Sequence, residues 1–160
     1  MRLIVTLLLV TVPMALVNGQ DRSVKQPFAI VISAEEQTLK AGSTVSIKVR
    51  LTNTSSQPLD ASGSFSDLTG LDSNFLFDVR DNQGHLAPKR IYRHSELAGG
   101  HAILDRIVRP GETLTENQDI SRLYDMTKPG KYVIQISREI PKEMGGGVVR
   151  SNTVAVTVTP

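Results

Sequence analysis

At 160 residues, with no cysteine and no tryptophan, the chain excludes thiol catalysis, thiol redox chemistry, zinc-thiolate sites and the Cys…Trp…Cys signature of antibody-type domains. Its formal net charge of +2 is too small for the broad basic surface of a dedicated nucleic-acid binder. The length suits one domain with a real hydrophobic core.

The chain opens Met1-Arg2-Leu3 and stays apolar through Val17, interrupted by Thr6, Thr11 and Pro13. Arg2 supplies a positive start, and the run is too short and too broken for a stable membrane span. Residues 1–19 therefore read as a secretory signal peptide, with Val17-Asn18-Gly19 at the cleavage site and the mature domain, residues 20–160, starting near Gln20. An uncleaved N-terminal anchor is the alternative. Cleavage would leave 141 residues with a net charge of +1. A secreted or periplasmic location is expected. No cysteine follows the run to carry a lipid, and no second apolar run would span a membrane.

From Phe28 onward, period-two alternation dominates. Phe28, Ile30 and Ile32 share one face of a first strand. Thr44 to Asn53 is the clearest case, with Val45, Ile47, Val49 and Leu51 on one side and Ser46, Lys48, Arg50 and Thr52 on the other. A helix would set Val45 and Ile47 about 200° apart and bury nothing coherent, whereas a half-buried strand needs this pattern. Weaker strands are expected around Leu59 to Phe65, Ala102 to Val108 and Leu114 to Ile120. Phe75, Phe77 and Val79 alternate, as do Tyr132, Ile134 and Ile136, and Val154, Val156 and Val158. These apolar sets predict one shared core.

Turn chemistry separates the strands. Lys40-Ala41-Gly42-Ser43, Asp81-Asn82-Gln83-Gly84, Arg109-Pro110-Gly111-Glu112 and Lys128-Pro129-Gly130-Lys131 place glycine or proline where the backbone must reverse. Gly145-Gly146-Gly147 reads as the tip of a hairpin loop from Glu139 to Arg150. Ile120 to Met126 is expected to form a short turn of helix, with Asp119 capping its start. Many short strands with such punctuation predict an all-β fold, a single antiparallel β-sandwich of about seven to nine strands.

Catalytic and metal motifs are sparse. His85, His94 and His101 are spaced nine and seven residues apart, outside zinc-ligand spacing. Nothing like Gly-x-Ser-x-Gly occurs. Asp67, Asp72, Asp78 and Asp81 could offer oxygens to calcium, but turn formation is the commoner role of such aspartates, and no dense Asp-x-Asp-x-Asp-Gly loop is present. Asn53-Thr54-Ser55 has the form of a glycosylation sequon. No enzyme activity, cofactor or metal is expected.

The segment from His85 to Arg109 stands apart. It carries Lys89, Arg90, Arg93, Arg106 and Arg109 against Glu96 and Asp105, a local net of +3, with all three histidines and Tyr92 among them. Arginine and tyrosine are enriched at binding hot spots, and long loops in β-domains are usually functional or disordered. A solvated connection between strands is the plainer reading. Arg90, Tyr92, Arg93 and His94 are the candidate binding residues, followed by the Glu139 to Arg150 hairpin. The positive charge suits an acidic protein surface and salt-sensitive association.

Met126-Thr127-Lys128-Pro129-Gly130-Lys131-Tyr132-Val133-Ile134-Gln135-Ile136 resembles the sixth strand of immunoglobulin-like and fibronectin-type domains, with its preceding corner. The resemblance implies that Tyr132 is a corner tyrosine whose hydroxyl bonds to upstream backbone. Ser151 to Val158 is similar to the last strand of such domains. Asn53-Thr54-Ser55-Ser56, the strand Phe77 to Arg80 entering Asp81-Asn82-Gln83-Gly84, Pro110-Gly111-Glu112 and Pro129-Gly130-Lys131-Tyr132 follow the order seen in BsuPI-type proteinase-inhibitor domains. The tryptophan expected after that Asp-x-x-Gly is absent, and a basic stretch stands in its place. The sequence therefore predicts an exported, immunoglobulin-like binding module without catalysis, with a secreted proteinase inhibitor of BsuPI-like type as the alternative.

Overall fold

The computed structural model describes residues 26–61, 75–90 and 106–160. The expected signal segment and cleavage site, and parts of the weaker strands expected around 59–65 and 102–108, lie outside the described residues.

The chain is all-β. In order, it forms β1 (Phe28–Ala34), β2 (Thr38–Lys40), β3 (Ser46–Asn53), β4 (Leu59–Asp60), β5 (Phe75–Arg80), β6 (Ile107–Val108) and β7 (Thr113–Asp119). A short helix α1 (Ile120–Leu123) follows, then β8 (Gly130–Glu139), a 3-10 turn at Lys142–Met144, β9 (Val148–Arg150) and β10 (Val154–Thr159). One sheet has the order β1-β3-β7. A second runs β2-β10-β8-β5, with β9 also on β8, and β4 pairs with β6.

Period two explains the core. Ile47, Val49 and Leu51 of β3 and Ile134 and Ile136 of β8 are fully buried, while Lys48, Arg50 and Lys131 are exposed. The inner residues of both sheets join one hydrophobic cluster, with Phe77 and Val154 at its margin. Leu51 lies across from Ile30 on β1 and Leu114 on β7, so both ladders keep apolar groups on the same face.

The pairing differs from a purely antiparallel sandwich in one place. β2 pairs parallel with β10, Thr38 opposite Thr157 and Lys40 opposite Thr159. The chain leaves the first sheet at Ala34 and enters the second at Thr38, a crossing rather than a hairpin, so no reversal imposes an antiparallel neighbour. There are ten strands among the described residues rather than seven to nine. The excess comes from short pieces: β9 and β10 lie along one side of β8 in succession, covering Ser137 to Glu139 and Gly130 to Ile134.

The helix is also shorter than expected, ending at Leu123, and Asp119 does not cap it with its side chain. Its carboxylate instead accepts from the Ser121 hydroxyl, and Ser121 Oγ accepts the Val45 N–H at 3.2 Å. The polar pair therefore serves the start of β3 rather than the helix N-terminus.

Candidate functional site

The basic connection begins on a firmly held base. Asp81 Oδ1 accepts the Gln83 and His85 N–H groups, each at 2.9 Å, and the Asp81 N–H donates to the His85 carbonyl at 2.9 Å. Gly84 sits at φ +83°, a left-handed conformation that a side chain would strain. Burial raises the Asp81 carboxyl, but the His85 and Gln83 amides outweigh it and hold its pKa below the usual carboxylate range. Arg80 grips Asp78 through Nε at 2.7 Å and Nη2 at 3.0 Å, and its Nη1 reaches the Gly84 carbonyl at 3.0 Å.

The chain then closes one side of the sandwich. The Ala87 N–H donates to the Val79 carbonyl on the outer edge of β5 at 2.8 Å. Pro88 accepts from the Asp125 N–H at 2.8 Å, and the Arg90 N–H donates to Leu123 at 2.9 Å. The Tyr124 hydroxyl caps a further edge carbonyl, that of Phe77, at 2.7 Å. Leu86 to Arg90 thus forms a seam between β5 and the end of α1.

Arg90 is half exposed at the end of this seam, its Nη2 4.0 Å from Asp125 Oδ1. Asp125 is held below the usual carboxylate range first by the Thr127 hydroxyl and amide, with Arg90 and Lys128 adding to them. Of the four residues singled out in the sequence, the structure positions Arg90. Tyr92, Arg93 and His94 lie outside the described residues. Asp125, which the fold brings beside Arg90, was missed, and no local signal ties the two together.

The hairpin from Glu139 to Arg150 is present, but it stands at the other end of the second sheet. Arg80 lies opposite Val133, whereas Glu139 lies opposite Val148. The six residue steps from Val133 to Glu139 along β8 span about 20 Å. The hairpin and the seam do not form one surface. The hairpin tip is pinned rather than splayed: the Ile140 N–H donates to Gly147 at 2.8 Å, and Ile140 and Met144 pack on the core.

Other candidates are engaged elsewhere. His85 Nδ1 lies 3.5 Å from Asp81 Oδ2, and His94 and His101 lie outside the described residues. In the carboxylate group, Asp78 holds Arg80 and Asp81 holds its own turn, while Asp67 and Asp72 lie outside the described residues. Asn53, the sequon asparagine, is 0% exposed. Its Nδ2 donates to Gln57 O at 2.7 Å and Val108 O at 2.8 Å, and its Oδ1 accepts from the Ser55 N–H and hydroxyl. In the folded chain this nitrogen is a structural donor and not a glycan acceptor.

Arg138 is a feature that the sequence reading passed over. It is 4% exposed, its guanidinium 5.5 Å from the Phe28 ring centroid and 5.8 Å from that of Phe75. Nη2 donates to the Asp60 carbonyl at 2.7 Å, tying β4 to β8. Burial pulls its pKa down and Asp60 pulls the other way.

No protein-family model matches this chain, and no curated protein matches it.

Proposed function

We propose that this chain is an exported, non-catalytic β-sandwich of immunoglobulin-like type that binds a protein partner through the basic connection after β5. Arg90, Tyr92, Arg93 and His94 are the contacts. The observation that carries this reading is the seam from Leu86 to Arg90, whose backbone is bonded both to β5 and to the end of α1. A loop that leaves from such a base starts from a fixed position, which lowers the ordering cost of binding. The local net charge of +3 between His85 and Arg109 favours an acidic partner surface. One feature supports the fold family: the Tyr132 hydroxyl donates to the Lys128 carbonyl at 2.9 Å, as a corner tyrosine does.

Capture from extracellular extract with the mature chain, alongside an Arg90→Ala/Arg93→Ala/His94→Ala variant shown to fold, tests the proposal. A protein retained by the wild type and lost by the variant supports it. Saturable inhibition of a secreted protease that survives the triple substitution would favour the inhibitor reading in its place.

A further inference from the structure

The sheet edges are treated unequally. On β1, Asn152 covers the backbone of Ile32. On β5, Ala87 and Tyr124 cover the Val79 and Phe77 carbonyls. The β2 edge is three residues long and ends in Lys40. The outer edge of β7 is seven residues, Thr-Leu-Thr-Glu-Asn-Gln-Asp, without proline, lysine or arginine. Natural sheets blunt exposed edges with such residues or with inward-pointing charges. The inward charge of β7, Glu116, is paired with Arg106, and no backbone covers the outer side of β7 among the described residues, so this edge can act as a template for another strand.

Its backbone direction follows from the ladder. Asn53 and Val45, of one parity on β3, bond toward β7 and α1, while Ser46, of the other parity, accepts from Glu35 on the β1 side. Leu114, Glu116 and Gln118 therefore bond to β3, opposite Leu51, Val49 and Ile47. Thr113, Thr115 and Asn117 direct their N–H and C=O groups outward, where no backbone partner meets them among the described residues.

Two chemically distinct strips flank this edge. Beside the start of this edge, a groove of about 370 Å³ is lined by the apolar Ile107, Val108 and Leu114 together with Arg106, Glu112 and Thr113. Ile107 is 57% exposed there. On the outer face, Arg50 stands opposite Thr115 and Lys48 opposite Asn117, both exposed and without an ion-pair partner among the described residues. A strand added to β7 would lie two strand spacings, about 10 Å, from β3. Long cationic side chains on β3 and carboxylates on the added strand bridge that distance across the small Thr115.

We propose that the β7 edge docks an extended peptide segment whose side chains alternate between apolar and acidic. The apolar ones enter the groove beside Ile107 and Leu114, and the acidic ones lie on the outer face toward Arg50 and Lys48. Backbone bonds to Thr113, Thr115 and Asn117 supply affinity, and the alternation supplies selectivity. This surface is independent of the connection that starts at Arg90, and either can hold without the other.

The probe is a blocked Glu-Val-Glu-Val-Glu-Val-Glu peptide, titrated against the mature chain at low salt and followed by backbone amide shifts. Saturable binding is expected, with the largest shifts at Thr113, Thr115 and Asn117. Thr115→Pro removes a donor that has no partner among the described residues and should weaken binding at least about tenfold. Lys48→Glu/Arg50→Glu should weaken it by a similar factor and transfer preference to the matching lysine-valine peptide, and this variant decides the matter if Thr115→Pro does not fold. Absence of saturable binding, equal binding to a block peptide of the same composition, or an edge already filled by a second copy of the chain would overturn the proposal.

Discussion

Asn152 completes the edge of β1 at Ile32: its Nδ2 donates to the Ile32 carbonyl, and its Oδ1 accepts the Ile32 N–H, both at 2.9 Å. One side-chain amide thus takes the place of a neighbouring strand, and it does so from the link between β9 and β10 in the other sheet. Asn152→Ala should destabilise the chain by about 1–3 kcal/mol, because it leaves both Ile32 groups unpaired at a part-buried site. Urea unfolding of the two proteins measures the difference.

Asn53 should be unmodified in folded protein secreted from a glycosylating host, since its amide nitrogen is buried on two carbonyls. Peptide mapping by mass spectrometry would show an intact Asn53. Asn53→Ala should cost about 1–3 kcal/mol, because the Gln57 and Val108 carbonyls lose their donor. A glycan on Asn53 in material with native unfolding behaviour would contradict the buried arrangement.

The strand faces are testable by a matched pair. Ile47→Ala should cost about 2–5 kcal/mol through lost burial and the cavity left behind. Ser46→Ala, on the adjacent residue whose side chain leaves the other face, should change stability by less than about 0.5 kcal/mol. Equal losses from the two substitutions would contradict the assigned register.

Much of this fold is written in alternation. Ile47, Val49 and Leu51, or Tyr132, Ile134 and Ile136, declare their faces because a strand sends successive side chains to opposite sides. The same parity places Arg138 inward after Ile136, but its charge hides that message; the Phe28 and Phe75 rings and the Asp60 carbonyl, from distant strands, show how a guanidinium is accommodated. β2 was missed because Thr38-Leu39-Lys40 is too short to display a period. The candidate site was legible as composition, not as geometry. Arg90 meets Leu123 and Asp125 only after folding, and the sequence could not show that the glycine-rich hairpin stands at the far end of the sheet.

Alkaline titration should report Tyr124 and Tyr132. Burial raises the pKa of Tyr124 and of Tyr132 above the ordinary value of 10.0, with nearby carboxylates adding to it. The folded chain therefore favours the neutral phenols. Their contribution is complete below that ordinary value and is lost as pH rises through the folded pKa. Tyr132→Phe should lose about 0.5–1.5 kcal/mol at neutral pH, for the bond to Lys128, and should show a smaller further loss above pH 10 than the wild type. Denaturation midpoints across that range measure both effects.

The basic connection is proposed to hold the partner. The most direct measurement is the affinity of the captured partner for the wild type and for the folded Arg90→Ala/Arg93→Ala/His94→Ala variant, each at low and at physiological salt. Binding by the variant should be at least about tenfold weaker, and the salt dependence steeper for the wild type. Equal affinity and equal salt dependence of the two proteins would contradict it, leaving the connection as a solvated link between strands.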